Sequence, residues 1–467
     1  MDLDPLLLSR IQFAFVVSFH AIFPVFTIGL ASFIAFLEGL SWYTRNPVWE
    51  RLSRFWIQVF AVVFGMGVVS GIVMAFQFGT NWSAFSYAGA NFLGPILSYE
   101  VVTAFFLEAA FLGVLLFGRG KVPQGVHFMS AIMVAVGTFI SSFWILSANS
   151  WMQTPGGYEL RDGLVHVTSW FDAIFNASLA PRFFHMALAS FLTGAFVVAG
   201  VSAWYLLKKK DAEIHKRAFS MSLWLILIIA PAQVVVGDIH GLNTFEHQPV
   251  KVAAMEGVWE TQRGAPLLLF AIPDQEAQTN HFEIGIPRLA SYILTHDWDG
   301  EVPGLNEVPQ DEQPPVAIVF WSFRIMVGIG MLMVLFALAG LILRRKGAYA
   351  TTPWFLQGMR FMAISPFIAV LAGWFVTEVG RAPWLIYGVM THAEGLTPSL
   401  TGGMALFTLI GYIAVYAVVF AAGLYYLMRV LRVGLPPEHE MTTADQNQRA
   451  KRPLSAASAA WEEEPQQ

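Results

Sequence analysis

The chain has no cysteine, and only 13% of its 467 residues are charged. The first absence excludes disulfides, iron–sulfur clusters, thiolate catalysis, Cys-type zinc sites and covalent c-type haem, all of which need sulfur. Any metal centre must therefore rest on His, Met or carboxylate. The second absence excludes a soluble domain: such domains carry about 25% charged and about 45–50% apolar residues. With 56% hydrophobic residues and a mean hydropathy of +0.57, this chain cannot cover itself for water. It reads as an integral membrane protein, with lipid around it and no nucleic-acid partner. The net charge of −5 says little, because in a membrane the distribution of charge matters more than its sum. Also missing is a basic stretch before the first apolar run, so Met1-Asp2-Leu3-Asp4 is not the start of a signal peptide and the first span is expected to be retained.

What is present is a series of apolar stretches of about 20 residues, each long enough to cross ~30 Å of hydrocarbon. They run Ile11 to Leu37, Phe55 to Phe78, Phe92 to Phe117, Val126 to Ser147, Pro181 to Leu207, Phe219 to Val236, Val316 to Leu343, Phe361 to Val379 and Met404 to Met428. Of the 27 Lys and Arg residues, 19 fall in one set of alternate connections and seven in the other, with Arg324 left inside a span. Basic residues favour the cytoplasmic side, so the N-terminus is expected outside and the C-terminus inside.

Residues 1–236 thus hold helices one to six, 237–315 an extracytoplasmic loop, 316–433 helices seven to nine, and 434–467 a tail with no apolar period, expected to be disordered. A loop that long is expected to be functional. A weak repeat relates Phe19-His20-Ala21, Thr27-Ile28-Gly29 and Ser41-Trp42-Tyr43 to Phe184-His185-Met186-Ala187, Thr193-Gly194 and Ala203-Trp204-Tyr205. The expected fold is all-α: nine transmembrane helices, as two four-helix units plus a ninth.

Ionisable groups inside a membrane are costly, so each needs a reason. Of eleven histidines, only His20 and His185 lie well inside spans, both in the outer half, and His127 sits at a cytoplasmic end. A lone membrane His is commonly a helix-to-helix hydrogen bond. Two at matching points of a repeat favour a ligand role. Met326 lies about ten residues into span seven, with Arg324 two residues before it. Met alone is usually packing. An intramembrane Arg, however, needs an anion such as a carboxylate or a haem propionate, and His with Met is an axial pair suited to electron transfer. Span eight ends in Gly373-Trp374-Phe375-Val376-Thr377-Glu378-Val379-Gly380-Arg381-Ala382-Pro383-Trp384. An interfacial anchor would account for the Trp and Arg but not for the carboxylate. In span three, Glu100 and Glu108 are either steps of a proton path or neutral acids making helix contacts. In the long loop, Lys251 and Glu256 are either a ligand-binding pair or solvated charges.

Along essentially all nine spans the chain resembles subunit I of the cytochrome bd-type quinol oxidases. The matching segments are Gly373 to Trp384, Phe320-Trp321-Ser322-Phe323-Arg324-Ile325-Met326-Val327-Gly328, Trp144-Ile145-Leu146 with Asn149 and Trp151-Met152-Gln153, Leu8 to Phe13, and the run around Lys251 and Glu256. The resemblance implies three non-covalent haems near the outer face: b558, b595 and d, or haem b in place of d. His185 and Met326 would ligate b558 with Arg324 beside it. His20 and Glu378 would ligate the two high-spin haems, in an order left open, with Trp374 and Arg381 among the cofactor-binding residues. Lys251 and Glu256 would belong to the quinol site, Glu100 to the neighbourhood of the high-spin haems, and Glu108 and Ser141 to a proton route from the cytoplasm. The implied activity is oxidation of quinol by oxygen, with release and uptake of protons on opposite sides and no pump. The implied partners are a large second subunit and, in some members, a small single-span one.

Two departures stand out. Ala382 replaces the usual Gln, which removes a side-chain hydrogen bond near Glu378 but not the ligand. The loop lacks the long C-terminal insertion and so matches the short-loop type, the group that includes cyanide-insensitive members. The repeat also admits a reading from another class, a proton-coupled transporter that uses His20, Glu100, Glu108 and Glu378 as its path.

Overall fold

A computed structural model of the chain describes residues 3–436. The tail from residue 437 onward, where most of the expected disordered segment falls, lies outside the described residues. Nine helices among the described residues are long and apolar enough to cross a membrane. In chain order the main helices are α1 (Pro5–Thr44), α2 (Pro47–Ala75), α3 (Ala90–Glu100), α4 (Phe106–Phe117), α5 (Gln124–Gln153), α6 (Leu179–Leu207), α7 (Ala212–His247), α8 (Pro249–Glu256), α9 (Val316–Arg345), α10 (Pro353–Met362), α11 (Ser365–Val379) and α12 (Gly402–Val433). The strands are confined to small two-stranded sheets in the connections.

Local chemistry sets the helix boundaries. Asp4 caps α1 by accepting the Leu6 N–H at 2.9 Å, and Pro5 occupies the first turn, where its missing N–H costs nothing. Arg45 leaves α1 in the left-handed conformation, and Asn46 then caps α2 by accepting from Val48 N at 3.0 Å. Three spans differ from uniform rods. Span three passes through a π-helical turn, Val101–Phe105, between Glu100 and Glu108. Span eight is two helices, α10 and α11, broken before Pro366. Span six does not stop at Val236, because α7 runs on to His247, so the long connection starts at Gln248. The segment Gly237-Asp238-Ile239-His240-Gly241 lowers hydropathy without breaking the helix.

The helices pack as two groups. Helix α1 lies against α2 and α5, and α4 against α5; α6 lies against α7, α7 against α9, and α9 against α11. Helix α12 packs on α1 and α2. The two groups meet where α1 crosses α6. A Cβ on Gly29 would sit 2.2 Å from the Ser190 carbonyl oxygen, and one on Gly194 2.9 Å from the Gly29 carbonyl carbon. These are the repeat's own equivalent glycines. They touch each other, as corresponding points near a two-fold axis must, and small residues allow this close approach in a membrane.

At the end of the bundle that carries most of the Lys and Arg, Glu38 on α1 is fully buried. It accepts from Ser53 on α2, from Arg119 after α4, and from His127 Nδ1 on α5 at 2.9 Å. His127 Nε2 lies 3.0 Å from the Leu115 carbonyl oxygen. Glu38→Ala leaves the Arg119 guanidinium, the buried His127 ring and Ser53 facing no carboxylate, and a cost of about 3–5 kcal/mol is expected, read as a lower thermal midpoint of the purified protein. Glu50→Ala, which removes a carboxylate from partly exposed pairs with Arg54 and Arg119, should cost no more than about 1 kcal/mol. Equal shifts for the two substitutions would contradict this account.

Candidate functional site

Each residue with ligand chemistry is held by a neighbour that the fold brings to it. His20 on α1 has Nδ1 2.9 Å from Ser70 Oγ on α2, and that hydroxyl donates to the Gly67 carbonyl at 3.0 Å. With its proton so directed, Ser70 accepts from Nδ1–H, which leaves the Nε2 lone pair of His20 free to bind a metal. On α6, His185 has the Gln233 amide nitrogen of α7 3.3 Å from each ring nitrogen, and its ring centroid lies 5.4 Å from that of His240. Met326 on α9 leans on α11. A Cβ at Gly373 would stand 2.8 Å from its sulfur, so the glycine of the Gly373–Trp374 motif is what lets the thioether lie there. Trp374 follows directly, and Glu378 stands one turn after Trp374 on the same helix.

Around Glu378 the ends of α5, α6, α8 and α11 on the side of the long connection form one polar cluster. Its carboxylate accepts from Asn149 Nδ2 at 2.7 Å and from Arg381 Nη2 at 2.6 Å. Arg182 Nη1 donates to the side-chain Oδ1 of Asn149 at 3.4 Å. Lys251 donates to Gln153 Oε1 at 2.7 Å, and its stem passes over Gly380, where a Cβ would be 2.9 Å from its Cγ. Arg182, Lys251 and Arg381 are all buried. Burial, with Arg182 and Arg381 nearby, pushes the Lys251 ammonium well below the usual lysine range. Ala382, in place of the usual Gln, is buried, and Glu378 takes its hydrogen bonds from Asn149 and Arg381 instead.

Glu256 lies at the other end of α8 and faces away from Lys251. Its carboxylate pairs with Arg324 Nη2 at 2.8 Å, and Arg324 also donates from Nε to the Leu268 carbonyl at 2.7 Å and from Nη1 to the Met255 carbonyl. The anion that Arg324 needs is therefore a loop carboxylate. In span three, Ser141 Oγ donates to Glu100 Oε1 at 2.7 Å. Glu108 is buried beside Gly137, one turn before Ser141 on α5, where a Cβ would come within 2.5 Å of its Cγ. The structure thus brings together Ser141 with Glu100, Arg381 with Glu378, and Arg324 with Glu256, but not Lys251 with Glu256. Sequence reasoning assigned no role to Ser70, Arg182, Gln233 or Gln153. Two of them carried a signal: Arg182, a cation one residue after Pro181, and Gln153, which ends the matching segment Trp151-Met152-Gln153.

The family model for cytochrome bd terminal oxidase subunit I matches residues 8–435. The chain belongs to that family. It is 36% identical to cytochrome bd ubiquinol oxidase subunit 1 of Bacillus subtilis over 94% of this chain and 95% of the relative. It is 31% identical to cytochrome bd-II ubiquinol oxidase subunit 1 of Escherichia coli, over 92% and 97%, and 28% identical to a putative cytochrome bd menaquinol oxidase subunit I of B. subtilis, over 95% and 100%. The solved bd oxidase of Geobacillus thermodenitrificans superposes with a TM-score of 0.85 at 30% identity, over 92% of this chain and 99% of that one. As a cytochrome bd subunit I the chain is a haem-containing, multi-pass bacterial membrane protein, and the transporter reading has no support.

The donor set fits haem. His20 offers a free Nε2, His185 a second imidazole and Met326 a thioether, all in an apolar bundle and with no thiolate required. Among the described residues, buried Arg182 Nε and Arg381 Nε and Nη1 have no hydrogen-bond partner, which suits the carboxylates of haem. Gly373→Ala should displace the Met326 sulfur and alter the reduced-minus-oxidised haem spectrum, and Ser70→Ala should lower ligand affinity at His20 by about 10–100-fold, as expected when a ligand's hydrogen-bond partner is removed.

Proposed function

We propose that this chain is the haem-bearing, quinol-oxidising subunit of a terminal oxidase that reduces oxygen to water, in which His185 and Met326 would hold haem b558. His20 and Glu378 would hold the two high-spin haems, b595 and d or b in place of d. Trp374, Arg324 and Arg381 would stand beside them. The observation that carries this reading is the buried cluster around Glu378, where three cations surround one carboxylate and guanidinium N–H groups are left unpaired. Haem held by these residues would supply one-electron transfer and the reduction of oxygen.

The protein groups supply the proton chemistry. In this reading Glu256 takes the proton of a quinol hydroxyl, and Arg324, 2.8 Å away, orients its carboxylate for that role. Lys251, which the resemblance links to the quinol site, is held by Gln153 at the Glu378 cluster on the other side of α8, so the proton chemistry of this reading rests on Glu256. On the route from the inside, Glu108 passes protons to the Ser141 and Glu100 pair, whose hydroxyl-to-carboxylate bond is already made. The basic residues put the N-terminus outside and the C-terminus in the cytoplasm, so quinol protons leave on one side while those for water enter from the other, and charge separates without a pump. The family works with a subunit II, which we take as the partner here together with quinol; a small single-span subunit, oxygen and lipid complete the proposed assembly. The relatives include a ubiquinol and a putative menaquinol oxidase, so either quinol class suits the reading.

Two measurements test it. Met326→Leu should remove the low-spin band from the reduced-minus-oxidised spectrum and leave the high-spin bands; an unchanged low-spin band would refute the axial assignment. Glu256→Gln should lower quinol turnover by about 10²–10⁴-fold with the haem spectrum intact, as expected for loss of a general base. Full turnover in that variant would exclude Glu256 as the base.

A further inference from the structure

The long connection carries a hairpin, strand Leu267–Asp274 paired antiparallel with strand Thr279–Ile286, whose exposed side chains are unusually apolar. Leu269, Ile272, Phe282, Ile284 and Ile286 are all exposed, Phe282 at 78% and Ile284 at 62%. In water such a patch on a two-stranded sheet is an association hazard. The depth of the hairpin can be read from its contacts with α9. At the turn, Gln275 bonds the Pro314 carbonyl and the Val316 N–H, each at 3.1 Å. Further along, Phe270 meets Trp321 edge-to-face at 5.2 Å, and the Leu268 carbonyl accepts from Arg324 at 2.7 Å. The hairpin therefore descends beside α9 by roughly 12 Å, eight residues at 1.5 Å.

Arg344 begins the basic end of α9, and the 20 residues from Arg324 to Arg344 span ~30 Å, the thickness of the hydrocarbon. Arg324 thus marks the loop-side boundary plane, and the base of the hairpin, where Leu267 pairs with Ile286, reaches that plane. Polarity follows depth in part: exposed Ile272 and Phe282 lie next to the turn, and the rest of the apolar patch lies nearer the base. The turn, Asp274 to His281, is largely polar and lies highest, with Glu283 bonded back to Asn280 at 2.9 Å. The apolar side chains Ile284, Ile286 and Leu269 lie at the base. An open sheet edge is not tolerated inside hydrocarbon, so the hairpin belongs in the interfacial zone and not in the core.

We propose that this hairpin is an interfacial membrane anchor, its apolar base seated among the lipid headgroups and upper acyl chains of the loop-side leaflet. There it steadies the loop that carries Glu256 at the level from which a lipid-borne substrate arrives. The chain has no cysteine, so single labels are simple to place. The assembled oxidase carrying Ile284→Cys, Leu269→Cys or Ala277→Cys, each nitroxide-labelled, is reconstituted into phosphatidylethanolamine and phosphatidylglycerol vesicles, and collisions with oxygen and with a water-soluble nickel chelate are measured by electron paramagnetic resonance. All three positions are exposed, and each complex is checked for quinol oxidation before measurement. Oxygen should outweigh the chelate at 284 and 269, and the ratio should invert at 277. Chelate-dominated labels at 284 and 269 would put the hairpin in water. Labels there shielded from both reagents would mean that the partner subunit covers it. Either result overturns the proposal.

Discussion

A charge taken out of water must be matched, and the loop-side end of this bundle concentrates that problem. Glu378 is enclosed by Arg381, Arg182 and Lys251, one carboxylate among three groups that are cationic in water. Asn149 and Gln153 spread the load, the first bonding both Glu378 and Arg182, the second accepting from Lys251. The excess is nevertheless positive, and in a low-dielectric setting it calls for anions the chain does not supply. The ends of α5, α6, α8 and α11 are drawn to one place by this cluster, and the helices that carry His185, Met326 and Glu378 are aligned in consequence.

The second constraint is Arg324, which ties the connection to span seven. Three of its bonds go to loop groups, the Leu268 and Met255 carbonyls and the Glu256 carboxylate, and its guanidinium lies 4.3 Å from the Phe320 ring centroid. A single buried cation thereby orients both α8 and the hairpin strand that follows it. Val252, Ala253, Ala254 and Met255 of α8 are also buried in one apolar cluster with Val316, Val319 and Val376 of the spans, so hydrophobic packing and these bonds together fix where Glu256 stands.

Much of this was legible in the sequence because membranes make ionisable residues conspicuous. His20, His185, Glu378 and Arg324 could be singled out by their cost alone, and the nine spans by length. The repeat read from Gly29 and Gly194 became a contact between those two glycines. What stayed hidden was of two kinds. Helix ends follow hydrogen bonding and not hydropathy, so the run of α7 to His247 and the π-helical turn after Glu100 left no apolar signal. Partners distant in sequence were also unreadable: Ser70 beneath His20, and Glu38 among Ser53, Arg119 and His127, are ordinary residues until packing joins them.

The same packing separates Lys251 from Glu256, which sequence proximity would place together. Five residues along an α-helix turn through about 500°, so the two side chains leave α8 on different sides. Lys251 goes to Gln153 and Gly380 at the Glu378 cluster, and Glu256 to Arg324 at the start of span seven. Helix α8 is therefore a bridge between two buried polar centres, not the wall of one. A shift of this short helix would strain the ion pair at one end and the Lys251 hydrogen bond at the other. A proton taken up at Glu256 would weaken its hold on Arg324, and with it the bond that keeps α8 in register with the cluster around Glu378.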